Sequence, residues 1–384
     1  MDTRHGEPHT FKAWSHRTPP FSLDLVEQQP PKPADLKPHE VLVEIHTAAL
    51  NPVDVQLANL PIFRLPALSY PKGIGCDFAG VILGKGKNVK GEFPIGGEVM
   101  GVTMAPLAGP NGGTLSEIAV IDTTRSAIIP KPPHLTWAQA AAVPLVFLTA
   151  KTVLSPPYLL LPRSANPDPT SADSHAIQPV IVVLGGSSAV GQYTIQLVKK
   201  RLHAKVVVTC SKKNEEFVKR MGADVVIDYR TEDVAKRLRE ERPKEGYVEI
   251  VDCVGGTEML PHLSELLAPR SREYHAGGNY VTIVGDKTGR SSMGGAATYL
   301  WNPQMVLRML KGWLWGGIRY NCVLLNSRAD WLSEVSHLAT SESLEIPLDA
   351  EFDFEDVPRA YERLNEGRAT GKIVVRVKKD ATRR

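Results

Sequence analysis

The chain has 384 residues, 42% apolar and 23% charged, with 45 Lys plus Arg against 42 Asp plus Glu and a net charge of +3. That length suits two domains of unequal size, and the near-neutral balance removes the electrostatic case for a nucleic-acid partner. No run approaches the ~20 apolar residues that span a bilayer. Cys76, Cys210, Cys253 and Cys322 are scattered, with no C-x-x-C pair; this argues against a disulfide framework and a four-cysteine zinc lobe, and for a reducing compartment. The amino terminus carries Asp2 and Glu7 and no apolar core, so neither a signal nor a transit peptide is expected and the expected location is cytoplasmic.

Along the chain, residues 41–46 alternate apolar and polar side chains as a half-buried strand does. Residues 78–83, 98–104 and 116–121 look similar and are separated by Gly-rich turns, which makes residues 1–150 a β-rich domain. Residues 137–154 read as one helix with Thr136 as its N-cap. Residues 155–179, dense in Pro, Ser, Asp and Asn, read as an exposed insertion at a domain boundary. The texture then becomes α/β. Residues 180–184 form a continuous apolar run, the mark of a buried parallel strand. Strands at 206–209, 225–228, 248–253 and 280–284 follow, with helices at 190–201 and 215–221 between them, so a doubly wound parallel sheet is predicted.

Residues 299–320 hold Trp301, Trp313 and Trp315 with Arg308, Lys311 and Arg319. This segment reads as an apolar wall over a hydrophobic substrate or, equally, as a core or subunit-contact helix. The basic-aromatic mix also suits a membrane-surface helix, although no firm membrane association is expected. Residues 321–326 form a candidate edge strand for a homodimer. Residues 354–363 read as an amphipathic helix and 372–377 as a closing strand. A strand so far from the α/β series can pair back with the amino-terminal domain. The expected domains are then residues 1–150 with 329–384, and residues 151–328. Lys378, Lys379, Arg383 and Arg384 read as a solvated tail.

The chemistry concentrates at the first strand-to-helix junction, Gly185, Gly186, Ser187, Ser188, Ala189, Val190 and Gly191. Glycines there allow a tight turn and let backbone amides approach a pyrophosphate at a helix N-terminus. Ser188 stands where a central glycine is usual, so the fingerprint is imperfect. At the end of the second strand, an acidic residue would hold the ribose of NAD; Ser211, Lys212 and Lys213 stand there instead. A hydroxyl and two ammonium groups suit a 2′-phosphate, so NADPH is the expected cofactor, against the plain reading of a solvated loop. Tyr229, after the third strand, is placed to close over the adenine.

Together with Asn51, Pro52, Val53 and Asp54, and with Gly75, Cys76, Asp77, Phe78, Ala79 and Gly80, these residues resemble the zinc-less medium-chain dehydrogenases/reductases. That family includes the quinone oxidoreductases and the trans-acting enoyl reductases of fungal polyketide pathways. Residues 222–229, 252–256 and 371–375 are most similar to the reticulon-4-interacting protein group. The resemblance implies a Rossmann domain plus a GroES-like β-rich domain formed by both chain ends. It also implies NADPH-dependent reduction of a quinone or enone, a small hydrophobic substrate. Asn51 and Asp54 would then line the cleft floor, and Thr149 would contact the nicotinamide ribose. Val254, Gly255 and Val284 would complete the cofactor site.

Zinc-dependent relatives place Cys at Asn51 and Gly-His-Glu at Gly75, Cys76 and Asp77, so no metal is expected. Enoyl-thioester reductases carry a tyrosine where this chain has Ile62, followed by Phe63, and polyketide enoyl reductases commonly carry a lysine where it has Gln56. Gln56 donates a hydrogen bond but is no acid, and Tyr70, the nearest phenol in sequence, reads as structural. The alternatives left open are a trans-acting enoyl reductase and an NADPH-binding scaffold without turnover.

Overall fold

The computed structural model describes residues 10–17, 22–58, 71–89, 91–104, 113–162, 178–272, 274–286, 302–314, 318–323, 325–341 and 344–379. Ile62, Phe63, Tyr70, Trp301, Trp315 and residues 163–177 of the Pro-rich segment lie outside them, and of Trp313 only the backbone is described.

The amino-terminal half runs β1 (Phe11–Arg17), β2 (Ser22–Gln28), β3 (Glu40–Ala49), α1 (Pro52–Ala58), β4 (Lys72–Gly73), β5 (Asp77–Lys85), β6 (Glu98–Val102), β7 (Ile118–Asp122) and β8 (Ala127–Pro130). Then come α2 (Trp137–Ala142), α3 (Pro144–Val153), β9 (Val180–Leu184), α4 (Ala189–Leu197), β10 (Lys205–Cys210), α5 (Glu215–Met221), β11 (Val225–Asp228), α6 (Val234–Glu240), β12 (Glu249–Asp252), α7 (Leu263–Leu266) and β13 (Asn279–Thr282). The chain ends with α8 (Pro303–Leu314), β14 (Arg319–Cys322), α9 (Ala329–Ser341), β15 (Leu348–Asp353), α10 (Val357–Asn365) and β16 (Lys372–Arg376).

Among the described residues, β9 to β14 form one parallel sheet in the order β11-β10-β9-β12-β13-β14. The order reverses between β9 and β12, and in such sheets ligands bind beyond the carboxyl ends of the strands at that switch point. Every residue of β9 is buried, as a strand covered on both faces must be. Ile181 and Val183 pack with Val206, Val208, Val251 and the helices α3 and α4. Val182 and Leu184 face the other way, onto Val207, Ile250, Leu238 and Leu263.

The second large sheet has the order β15-β16-β3-β5-β6-β8, with β7 also paired to β3. Val374 of β16 pairs with Ala49 of β3, so the carboxy-terminal strand completes a sheet begun by the amino-terminal half. The indole Nε1 of Trp14 donates to Phe354 O at 2.8 Å across 340 positions of sequence.

Residues 137–154 are not one helix. Thr136 makes a full capping box with Gln139 and starts α2, but the helix breaks at Val143 and restarts at Pro144. Proline lacks the N–H that a continuous helix would need there, and it suits a first turn instead. The helix expected over 190–201 changes to a wider π-type turn from Val198 and ends at His203, in the left-handed conformation at φ 48°. The strand expected over 321–326 lies earlier, as β14, paired on one side with β13.

The helix α8 buries Met305 against Tyr280 and Tyr320 and leaves Leu307 64% exposed. It is pinned by Arg308 Nη1 to Asp286 Oδ2 at 2.7 Å and by Tyr320, whose hydroxyl donates to Asp286 Oδ1 at 2.6 Å. Among the described residues no helix is long and apolar enough to cross a membrane.

Candidate cofactor and active site

The loop after β9 shows why its glycines are glycines. Gly185 has φ +80°, and a Cβ there would stand 2.4 Å from Val254 Cγ1. A Cβ on Gly186 would stand 2.1 Å from Val208 Cγ1, and one on Gly191 2.5 Å from Gly185 O. Helix α4 therefore sits hard against the loop and the sheet. Thr209 pins the turn from the neighbouring strand: its hydroxyl accepts from Gly185 N at 2.9 Å and its carbonyl from Gly186 N at 2.9 Å. Ser188 is the N-cap of α4, and its hydroxyl accepts from Gly191 N at 3.1 Å. That explains the departure from the usual glycine, because a side-chain oxygen satisfies one of the orphan amides at the helix start. Ser187 and Val190 lie in the same turn and first helical residues. The cradle is tight, backbone-lined and at the positive end of a helix, and it fits a pyrophosphate.

Two further loops close the crevice. Asp252, the last residue of β12, accepts from Val254 N at 3.0 Å and Gly255 N at 2.8 Å. Thr282, the last residue of β13, accepts from Val284 N at 3.2 Å and Gly285 N at 2.9 Å. Each strand thus ends in a side-chain-stabilised turn. Gly255, at φ +77°, brings the first turn against the second, since a Cβ there would meet Val284 Cγ1 at 2.8 Å. Val254 itself is 52% exposed, an apolar side chain bared where a planar ring would lie.

At the end of β10, Ser211 is buried and its side chain makes no capping bond, while Lys212 and Lys213 are exposed. Tyr229 is 40% exposed after β11. The structure thus brings Ser211, Lys212, Lys213 and Tyr229 to the carboxyl ends of adjacent strands. Thr149 is nearly buried on α3 and its hydroxyl donates to Leu145 O at 2.7 Å.

Asn51 and Asp54 do not form an open floor: each is 1% exposed, below the surface a substrate would touch. They belong to a buried polar ladder. Lys372 Nζ donates to Asn51 Oδ1 at 2.6 Å, to Leu50 O at 3.0 Å and to Asp77 Oδ2 at 3.0 Å. Asn51 Nδ2 donates to Asp77 Oδ2 at 2.9 Å, and Leu145 N, in the first turn of α3, donates to Asp77 Oδ1 at 2.8 Å. Asp54 accepts from Asn51 N at 2.8 Å and from the Tyr361 hydroxyl at 3.5 Å. The ladder fastens α1, which carries the half-buried Gln56, to α3, which carries Thr149. Sequence reading passed over Lys372 and Tyr361, because nothing local shows that position 372 meets position 77.

Burial pushes the Asp54 carboxyl up to about 7, against the counter-effects of its Asn51 amide and of Lys372. The native state therefore keeps a proton that the unfolded chain releases near its ordinary value of 3.8. The stability that Asp54 contributes is fullest below that value and declines as pH rises toward about 7, because the folded form must then give up the proton or bury a charge. Urea midpoints measured from about pH 4 to about pH 8 should show the stability of the wild type falling relative to that of Asp54→Asn as pH rises.

Residues 37–133 match the family profile of the alcohol dehydrogenase GroES-like domain, and residues 221–375 that of the zinc-binding dehydrogenase. The Mus musculus protein named NAD(P)H oxidoreductase RTN4IP1, mitochondrial, is 30% identical over 354 residues, covering 88% of this chain and 82% of that one. The chain belongs to the quinone oxidoreductase-like medium-chain dehydrogenases/reductases. It is an oxidoreductase of that family and uses a nicotinamide cofactor. Protein YIM1 of Vanderwaltozyma polyspora is 28% identical over 405 residues, covering 96% of this chain and 99% of its own. The structure of the quinone oxidoreductase from Coxiella burnetii superposes with a TM-score of 0.72 at 23% identity, over 96% of this chain and 100% of that one. That likeness bears on the fold, which is the Rossmann plus GroES-like architecture of the family.

One of the two profiles is named for zinc, and the donor set here does not fit that ion. Asn51 Oδ1 and Asp77 Oδ2 are both taken by the Lys372 ammonium. Cys76 is wholly buried, and burial together with Asp54 pushes its thiol well above the usual range. A zinc site needs free donor atoms with room for the ion, and here the two oxygens beside Cys76 already hold a resident ammonium.

Proposed function

We propose that this family member is an NADPH-dependent, metal-independent reductase that delivers hydride to a quinone or an α,β-unsaturated carbonyl of hydrophobic character. One observation carries the choice of NADPH: the buried Ser211 and the exposed Lys212 and Lys213 stand at the end of the second Rossmann strand, where a ribose-binding carboxylate would otherwise stand. Hydroxyl and ammonium groups match a phosphate dianion.

The bound nicotinamide supplies the hydride. The chain's own residues do the rest. Gly185, Gly186, Ser187, Ala189 and Gly191 hold the pyrophosphate, and Ser188 keeps the helix start in place. Asp252 and Thr282 shape the two turns that bring Val254, Gly255 and Val284 against the ring. Asn51 and Asp54 act from below by fixing α1, so that Gln56 offers its amide to an acceptor carbonyl. Glutamine is no acid, so the proton comes from water. Quinones and enones suit such a site, because they accept hydride without a Lewis acid on the carbonyl.

A homodimer through the open edge of β14 belongs to the same proposal. So does a reducing compartment, the cytoplasm, which the unpaired state of all four cysteines supports. The mitochondrial location in the RTN4IP1 name is that relative's.

The test is turnover of 1,2-naphthoquinone, phenanthrenequinone and simple enones with NADPH and NADH in parallel. Tight NADPH binding with no reduction of any acceptor would sink the reductase reading and leave the scaffold. Reduction confined to carrier-bound acyl chains would move the assignment to a trans-acting enoyl reductase.

A further inference from the structure

At the end of β10, residues 212–214 form a single 3-10 turn before α5 begins at Glu215. Two ammonium groups, Lys212 in the turn and Lys219 in α5, converge on one carboxylate. Lys212 Nζ is 2.5 Å from Glu215 Oε2, and Lys219 Nζ is 2.8 Å from Glu215 Oε1. Lys219 also reaches Glu216 at 3.5 Å. The Lys212 side chain is 78% exposed and that of Glu215 21% exposed, so the pair sits at the surface beside the end of β10, where the NADPH reading puts the 2′-phosphate. These two lysines hold the Glu215 carboxyl down to about 2, and it stays ionised throughout any working pH. The other nearby carboxylate, Asp228 at the end of β11, is engaged in its own turn by Arg230 N at 3.1 Å and the Thr231 hydroxyl at 3.2 Å.

We propose that Glu215 is a specificity-determining residue that weakens the preference for NADPH over NADH by competing with the 2′-phosphate for Lys212. The inference rests on the NADPH reading and adds what tunes it. A phosphate arriving here meets Lys213, but to gain Lys212 it must draw that ammonium away from a carboxylate. Exchanging one anion partner for another in exposed, high-dielectric surroundings yields little net attraction. NADH has no 2′-phosphate and is indifferent to the exchange.

The test is cofactor affinity of the full chain, wild type and Glu215→Gln, by fluorescence titration with NADPH and NADH at low and high salt. NADPH binding should tighten roughly two- to fivefold, the range set by exposed ion pairs. NADH should not move, and the gain should shrink as salt screens it. In a Lys212→Gln/Lys219→Gln background the Glu215→Gln change should do nothing. Circular dichroism on each variant confirms that the fold is intact. Equal changes for both cofactors overturn the proposal, as does no change for NADPH; weaker NADH binding would assign the carboxylate to the ribose hydroxyls and also overturn it. A Ser211→Ala/Lys212→Gln/Lys213→Gln variant separates the two readings. An unchanged NADPH-to-NADH ratio there removes the NADPH assignment itself. A lowered ratio there, with Glu215→Gln inert, removes only the role of Glu215.

Discussion

Gly185→Ala should lower NADPH affinity by on the order of 100-fold, read by fluorescence titration. Two costs coincide at this position. Its φ of +80° disfavours any L side chain, and the new methyl would stand 2.4 Å from Val254 Cγ1. The backbone strain alone is worth about 1–2 kcal/mol. The steric conflict adds to it and is relieved only if Val254 retreats or the turn opens. Either movement spoils the crevice, because Val254 is the apolar side chain bared at its mouth and the turn is the one proposed to hold the pyrophosphate. A control separates this from a general effect of alanine. Gly91 sits in a turn where an added Cβ meets nothing within 4 Å, so Gly91→Ala should leave both affinity and melting temperature unchanged. An affinity within threefold of wild type in Gly185→Ala would falsify the placement of the cofactor on this loop.

Lys372→Met should destabilise the fold by about 3–5 kcal/mol in urea unfolding, the usual consequence of stripping the partner from a buried charge. Lys372 and Asp77 are 2% and 0% exposed at the side chain, so neither has water to fall back on. Without the ammonium, Asp77 keeps only the amides of Asn51 and Leu145, and Leu50 O and Asn51 Oδ1 lose their donor. Lys372→Met/Asp77→Asn should recover part of the loss, because the surviving partner is then neutral. The loss in the double variant should fall short of the sum of the two single losses by more than about 1 kcal/mol. A loss below about 1 kcal/mol in the single variant would mean that water or a rearranged side chain replaces the ammonium. That outcome would remove the ladder as the tie between α1 and α3.

The strand, glycine turn and helix proposed to hold the cofactor were legible because they are local. A buried apolar strand, a glycine turn and a helix follow one another within residues 180–197, and each step has its own pattern in composition and period. Ser188 looked like a flaw in that pattern; its hydroxyl turns out to do a cap's work on Gly191 N. Lys212 and Lys213 were legible as charges, but not the partner of Lys212, since Glu215 could as well have faced solvent. The helix over 137–154 misled because its apolar period runs through Pro144 unbroken, while the missing N–H breaks the helix.

From the sequence alone, the parallel sheet, the strand, glycine turn and helix of residues 180–197 and the lack of a zinc-type ligand run follow. These depend on residues within a few positions of each other, where period, glycine and proline act directly on the backbone. The tertiary structure decided what Asn51 and Asp54 are for. They carry a recognisable motif, yet they lie under the cleft, bound to Lys372 and Tyr361 from the far end of the chain. Such a pairing arises only when β16 closes on β3, and a buried charge declares its partner only once burial has removed the water that would otherwise serve both.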